Sequence, residues 1–187
     1  MIEPTLIEKV RGREDGAFKA MYEASIRYVY SIVKRYINND SEHADVIQEI
    51  YARVFLSIKT YDSTKGDFQP WLRRITVNQC AMYYRQGKSP RQVISMDGIQ
   101  QIDNSMESKL TQLTSREIEM FVENMPDGYK QVFMMIVIDE FTHKEVSEML
   151  EITVETSRSQ LSRAKTWLRK HLTSLTTNKY LTIASGG

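Results

Sequence analysis

Basic residues concentrate in two segments of the chain, and neither segment contains an acidic residue. The first segment, residues 71–91, and the second, residues 156–171, each hold five lysines or arginines. The interval at residues 103–127 is predominantly acidic, and the formal net charge of the 187-residue chain is only +1. This distribution predicts two separate contacts with one polyanion rather than a uniformly basic surface.

The first basic segment interleaves aromatic rings with arginines. Rings can stack on unstacked bases while cations hold phosphates, so this composition suits melted nucleic acid. Adjacent residues on a helix point about 100° apart, so Tyr83 and Tyr84 cannot both be deeply buried. Trp71 lies on the apolar side of the segment and is expected in the core. The candidate nucleic-acid-binding residues of this segment are Arg73, Arg74, Tyr83, Tyr84 and Arg85.

The second basic segment follows a helix-turn-helix pattern. Thr142 and Glu145 match a capping box at the start of one helix, and Thr153 can cap the next helix after a turn at residues 151–153. A tight turn followed by a basic helix is the geometry that places a helix in the DNA major groove. We expect the buried side to hold Val154, Leu161, Ala164, Trp167 and Leu168, and the groove side to hold Thr156, Arg158, Ser159, Gln160, Ser162, Arg163 and Lys165.

A simpler alternative is a helical hairpin whose basic face is only solvated. The helix dipole favours cations near a C-terminus, which would account for Arg169 and Lys170 without DNA. The dipole does not explain Arg158, because this residue lies near the N-terminus of the predicted helix, where a cation is disfavoured.

Apolar residues at three- and four-residue spacing predict amphipathic helices at residues 18–36, 47–58 and 71–82. No alternating strand pattern accompanies them. Residues 87–114 have little periodicity and several turn formers, which indicates a linker. The predicted fold class is all-α, with two small helical domains joined by a flexible linker, the second a winged-less helix-turn-helix four-helix domain. The expected boundaries are 1–88 for the first domain, 89–114 for the linker, 115–175 for the second domain and 176–187 for a loose tail.

Three stretches of the chain together resemble the extracytoplasmic-function sigma factors. Residues 45–55 resemble the helix by which that family binds core RNA polymerase, residues 68–78 resemble the start of its minus-10 reading segment, and residues 125–169 resemble its minus-35 binding domain. Each motif is moderately specific by itself, whereas all three in this order and spacing make a strong match. The resemblance extends over residues 7–172.

The resemblance implies roles for individual residues. Asp45, Gln48 and Glu49, with Arg53, would bind the polymerase, the first three through the clamp helices of its largest subunit. Their position opposite Ile47, Ile50 and Val54 agrees with an exposed polar face, although an ordinary solvated face would look the same. Asn78 would lie near a loop that captures a flipped-out base, and a surface amide or helix cap is its simpler interpretation. Arg73 and Arg74 would hold phosphates.

Four positions depart from the family pattern. Glu151 stands where the family usually has glycine in the turn, and a left-handed backbone there would cost about 1 kcal/mol. Ser147 replaces a small alanine where the helices cross. Ser157 and Gln160 replace a usual valine and arginine in the recognition helix. These departures affect the expected preference of the second domain for the minus-35 DNA sequence, and they leave the expected fold unchanged.

The sequence therefore predicts a transcription initiation factor with core RNA polymerase and promoter DNA as partners, and the resemblance adds an anti-sigma factor as a candidate partner. No nucleotide-binding glycine loop, metal-ligand cluster or nucleophile–base set is present, so no enzyme activity, metal or cofactor is expected. The lack of a long apolar run predicts no membrane insertion. The lone Cys80 excludes an internal disulfide and fits a cytoplasmic location.

Two other classes of protein stay open at this point. A homodimeric helix-turn-helix regulator would bind two-fold operators tightly without polymerase. A protein-interaction adaptor would use a sigma-like fold only to sequester a partner. The regulator leaves the polar residues 45–49 and the aromatic-basic segment unexplained, and the two acid-free basic segments argue against the adaptor.

Overall fold

The computed structural model describes residues 2–87, 122 and 124–184, with side chains described as far as His171. The chain divides into two compact units, Met1–Pro90 and Arg91–Gly187. Throughout the described ranges the regular elements are helices and none is a strand, which confirms the all-α class. The predicted linker at residues 89–114 lies outside the described residues.

Four α-helices, with two short 3-10 helices at Asp40–Glu42 and Ile58–Thr60, form the described part of the first unit. The α-helices are α1 (Pro4–Arg11), α2 (Ala17–Tyr36), α3 (His43–Ser57) and α4 (Phe68–Arg85). Helices α2, α3 and α4 pack against one another, and α1 packs on α2. The last three correspond to the predicted helices, while α1 is an additional element that the apolar spacing did not reveal.

The core of the first unit is built from the apolar stripes of these helices. Residues spaced three or four apart share one helix face, and burying each large apolar side chain contributes about 1.5–3 kcal/mol. Cys80 is fully buried in this core, in agreement with a structural role. The completely buried residues include Met21, Val29, Ile32 and Val33 of α2, Ile50 and Val54 of α3, and Val77 and Cys80 of α4.

Three helices are described in the second unit. Helix α5 (Asp127–Phe133) continues as a π-helical turn (Met134–Ile138), and α6 (His143–Leu150) and α7 (Val154–Ala184) follow. Helix α7 packs on both α5 and α6 around Val132, Met135, Val146 and Ala164. The tail expected from residue 176 differs from the structure, in which α7 stays helical as far as Ala184. Three helices of the predicted four-helix second domain are thus described, and the segment before Asn124, where a fourth would lie, is outside the described residues except for Val122.

Candidate functional site

Helix α3 presents a polar face that matches the one predicted from the sequence. Asp45, Gln48, Glu49 and Arg53 are all exposed, while Ile47, Ile50 and Val54 on the opposite side are buried. The Glu49 carboxylate accepts a hydrogen bond from the Gln79 amide of α4 at 3.4 Å, which links this face to the neighbouring helix. The predicted orientation of the four polar residues is therefore found in the structure.

An apolar groove of about 440 Å³ lies beside this polar face, between α2 and α3. Tyr22 and Phe55 line it and are 38% and 40% exposed, and the adjacent Leu56 is 73% exposed. The spacing of Tyr22 and Phe55 had placed both in the apolar stripes of their helices. The sequence pattern therefore missed a surface on which Gln48, a predicted polymerase-binding residue, meets exposed rings.

The loop before α4 is held by its own hydrogen bonds. The Tyr61 hydroxyl donates to the Gly66 carbonyl at 3.0 Å, and the Asp62 carboxylate accepts from both the backbone amide and the hydroxyl of Thr64. These hydrogen bonds from Thr64 lower the pKa of Asp62. These local side-chain hydrogen bonds hold the loop that leads into α4.

An aromatic cluster anchors the start of α4. The rings of Tyr61, Phe68 and Trp71 lie with centroids 5.3–5.5 Å apart. Phe68 and Tyr61 are buried, but Trp71, which we expected in the core, is only half-buried. The indole packs on the other two rings of the cluster and is still partly accessible.

The candidate residues of α4 fall on two stripes of the helix. Arg74, Asn78 and Arg85 are spaced by four and seven residues, which places them on one stripe with Trp71. Arg74 is exposed and the other members are half-buried. The remaining two accessible candidates, Arg73 and Tyr84, are half-buried on a second stripe.

Tyr83 is placed differently from the prediction. Its side chain is only 5% exposed, and this burial is the main cause that raises the pKa of its hydroxyl. The Tyr84 ring is half-buried and its hydroxyl donates to the Tyr36 carbonyl of α2. One ring of the pair is thus partly exposed, as helix geometry requires, but the buried ring of Tyr83 is not available for stacking on a base.

The helix-turn-helix closes as its capping residues predict. Thr142 accepts from the Glu145 amide, and the Glu145 carboxylate accepts from the Thr142 amide at 2.9 Å, which completes the capping box. Thr153 caps the second helix by accepting from the Thr156 amide at 3.0 Å. Between them Glu151 has φ 54° and ψ 44°, the left-handed conformation that favours glycine.

Helix α7, the second helix of the helix-turn-helix, buries fewer of its apolar side chains than predicted. Ala164 and Leu168 are buried as expected, but Val154, Leu161 and Trp167 are only half-buried. Ser157 is completely buried, and its hydroxyl is satisfied there by a hydrogen bond with His143 of α6 at 2.9 Å. Among the predicted groove residues, Arg158 is exposed, and Thr156, Ser159, Gln160, Ser162, Arg163 and Lys165 are half-buried.

Two family models match the chain in the same order as these two helical units. The model for sigma-70 region 2 matches residues 21–89, and the model for sigma-70 region 4 matches residues 115–168. The first range contains α3 and α4, and the second contains the helix-turn-helix. Two such regions in one chain define a sigma factor, which directs RNA polymerase to promoters.

Relatives along nearly the whole chain narrow the class. The chain is 27% identical to the extracytoplasmic-function sigma factor SigW of Bacillus subtilis, over 90% of this chain and 96% of that protein. It is 24% identical to the extracytoplasmic-function sigma-E factor of Escherichia coli, over 88% and 91%. The chain belongs to the extracytoplasmic-function sigma factors, which are transcription initiation factors and not enzymes as a class.

Two solved structures share the fold. CnrH in complex with the cytosolic domain of CnrY has a TM-score of 0.50 at 16% identity, covering 91% of this chain and 96% of that one. The sigma factor RpoE of Bartonella quintana, in complex with the anti-sigma factor NepR, has a TM-score of 0.50 at 13% identity, covering 84% and 98%. Both support the helical architecture described above.

Across residues 2–87 and 124–184, no helix has the length and apolar character needed to cross a membrane. Over the same described part of the chain, no group of His, Cys, Asp and Glu side chains is arranged to hold a metal ion.

Proposed function

We propose that the exposed face of α3 is the surface that binds core RNA polymerase. Asp45, Gln48, Glu49 and Arg53 supply polar contacts, and the neighbouring groove lined by Tyr22 and Phe55 receives apolar side chains of the polymerase. The joint exposure of this polar face and these rings is the observation that carries the proposal. Interfaces commonly combine an aromatic centre with a polar rim.

Helix α4 takes the melted minus-10 strand in this proposal. The stripe of Trp71, Arg74, Asn78 and Arg85 combines an accessible indole, two guanidinium groups and an amide. A ring that stacks on a base contributes about 1–3 kcal/mol, while unstacking costs a few kcal/mol per step. The amide of Asn78 can recognise a base edge with a paired donor and acceptor.

Helix α7 enters the major groove at minus-35 through residues 156–165. The predicted linker at residues 89–114 then joins the two DNA contacts, the first in a domain at residues 1–88 and the second in a domain that begins at residue 115. Neither domain needs high affinity alone, because polymerase holds both on one duplex and raises their local concentration. This arrangement accounts for promoter recognition by a chain of net charge +1.

The proposal extends to the setting in which the protein acts. The chain itself catalyses no reaction, takes no cofactor and works in the cytoplasm, where promoters and polymerase are. An anti-sigma factor that occupies its polymerase- and DNA-binding surfaces would control it. The complexes of CnrH with CnrY and of RpoE with NepR support such control.

Binding to purified core RNA polymerase tests the function most directly. We expect submicromolar binding by size exclusion or native gel, and a Gln48→Ala, Glu49→Ala variant should bind more weakly. Glu23→Ala is the matched control, because Glu23 is exposed on α2. Equal binding by both variants and the unmodified chain would remove α3 from the interface.

Absence of polymerase binding, together with tight binding to two-fold operator duplexes, would instead favour the homodimeric regulator. That class of protein needs only the helix-turn-helix of the second unit. It assigns no function to the exposed rings beside α3 or to the Trp71 stripe, and we therefore rank it second.

A further inference from the structure

His143 occupies the junction between the two helices of the helix-turn-helix. It is the first residue of α6, directly after the capping residue Thr142. Its Nδ1 atom lies 2.9 Å from the hydroxyl oxygen of Ser157 in α7. His143 is half-buried while Ser157 is completely buried, so the imidazole contacts α7 through Nδ1 and is still partly accessible.

Two cations of the recognition helix lie on the same flank. Arg158 follows Ser157 directly, and Lys165 is seven residues further on, which places both on one side of α7 about 10 Å apart along its axis. Partial burial is the first cause that lowers the pKa of His143, and the charges of Arg158 and then Lys165 lower it further. The imidazole, the guanidinium and the ammonium therefore share one positive region.

The carboxylates near His143 do not counter this positive region. Asp139 and Glu140 lie in the turn before α6, and Asp139 is itself buried, whereas the charges that shift the His143 pKa are those of Arg158 and Lys165. Glu145, on the same helix as His143, has its carboxylate engaged with the amide and hydroxyl of Thr142. The side chains of His143, Arg158 and Lys165 therefore offer N–H donors to an anion on this side of α7.

Helix-turn-helix docking indicates which anion reaches this flank. The second helix lies in the major groove while the first helix crosses the sugar-phosphate backbone, and phosphate contacts set the position of the protein on the duplex. We propose that His143, Arg158 and Lys165 together hold backbone phosphates of one DNA strand, and that His143 takes up a proton when they do. This inference rests on the proposed DNA-binding role of α7.

Ser157 makes this proton uptake compatible with a fixed helix interface. A hydroxyl can donate to a neutral Nδ1 and can equally accept from a protonated one. The link between α6 and α7 therefore survives a change in the charge of His143. A valine, which is the usual residue at this position in the family, could make neither bond and would leave Nδ1 without this partner.

The direction of the effect follows from the charges. In the free protein the charges of Arg158 and Lys165 disfavour protonation of the His143 imidazole. A bound phosphate screens both cations and accepts a hydrogen bond from the protonated ring. The pKa of His143 consequently rises on binding, and the complex holds more protons than its free components. DNA affinity should increase as the pH falls below the ordinary histidine value of about 6.5, by about twofold to fivefold for one partly exposed ion pair.

Calorimetric titration of the full-length chain with a short random-sequence duplex at low salt tests the proposal. Phosphate contacts are independent of sequence, so no promoter is needed. Titration in buffers of different ionisation enthalpy gives the net proton uptake, and His143 is one of three histidines in the chain. We expect uptake at mildly acidic pH, at and below the ordinary histidine value of about 6.5, that His143→Gln abolishes and that the control His171→Gln retains.

Each variant changes a different property of the site. The His143→Gln side chain can still hydrogen-bond Ser157 but cannot titrate. The control replaces His171, which lies on α7 and stacks on Trp167 with a distance of 3.8 Å between ring centroids. Ser157→Val should reduce both uptake and affinity, because the imidazole loses its fixed position. Urea unfolding of each variant verifies that the second unit is folded.

Equal proton uptake by His143→Gln and the unmodified chain would overturn the proposal, as would no uptake by the unmodified chain or no binding to duplex. Failure of this inference is distinguishable from failure of the proposed function. If Arg163→Ala weakens duplex binding while His143→Gln leaves uptake unchanged, α7 still binds DNA and only the role of His143 falls. Polymerase binding through α3 is measured separately and does not involve His143.

Discussion

Replacing Glu151 by glycine should stabilise the second unit. The residue has φ 54° and ψ 44°, and its amide bonds the Ser147 carbonyl, so the turn holds it in the left-handed region. That conformation costs a residue with a Cβ about 1–2 kcal/mol. Glycine avoids this cost but has a more flexible unfolded chain, which offsets about 0.4–1 kcal/mol. We expect a net gain of about 0.5–1 kcal/mol in the free energy of unfolding.

Urea unfolding followed by tryptophan fluorescence can measure this change. The chain has two tryptophans, Trp71 in the first unit and Trp167 in the second. A Trp71→Phe background leaves Trp167 as the only indole, so its fluorescence reports on the second unit alone. The same gain corresponds to a rise of about 2–8 °C in the melting temperature of a domain of this size.

Glu148→Gly is the matched control for this prediction. Glu148 is exposed within α6, where the backbone is right-handed, and glycine there should lower stability by about 0.5–1 kcal/mol. Glu151→Asn should fall between Glu151→Gly and the unmodified chain, because asparagine tolerates the left-handed region. If Glu151→Gly lowers stability as much as Glu148→Gly does, the argument from backbone strain is refuted.

Three other predictions concern caps, burial and protonation. Thr142→Ala removes the capping bond and should lower the stability of the second unit by about 1 kcal/mol in the same urea assay; an unchanged midpoint would contradict the capping box. Tyr83→Ala should destabilise the first unit by about 3 kcal/mol or more, and Tyr84→Ala by less, measured by calorimetry; equal losses would contradict their different burial. The lowered pKa of His143 means that the folded state resists its protonation. Stability of the second unit should therefore be unaffected by this group above about pH 6.5 and fall as the pH drops through the folded-state pKa, and His143→Gln should flatten that part of the urea midpoint profile.

Local signals in the sequence were sufficient for several features. The capping box at Thr142, the cap at Thr153 and the helical spacing of α2, α3 and α4 all involve residues within a few positions of each other. Such interactions depend on backbone geometry over one or two turns, so residue type and spacing specify them. The polar face of α3 follows from the same periodicity, because Ile47, Ile50 and Val54 occupy one side of the helix.

Partial burial was the feature that the sequence could not specify. An amphipathic stripe gives the direction in which a residue points, but not whether a neighbouring helix covers it. Tyr22 and Phe55 belong to apolar stripes and nevertheless line an open groove, whereas Tyr83, in a basic segment, is covered. How far each helix extends past its neighbours is settled by packing across the whole unit.

The sequence by itself determined the helical class, the order of the two basic segments, the caps and the family of this protein. Only the tertiary structure decided which aromatic side chains stay accessible and which buried hydroxyl meets a histidine. Ser157 illustrates the difference. The sequence showed only that this residue departs from the family pattern, whereas the structure shows that its hydroxyl contacts His143. That pairing joins residues fourteen positions apart on two helices, so it exists only once the helices have packed.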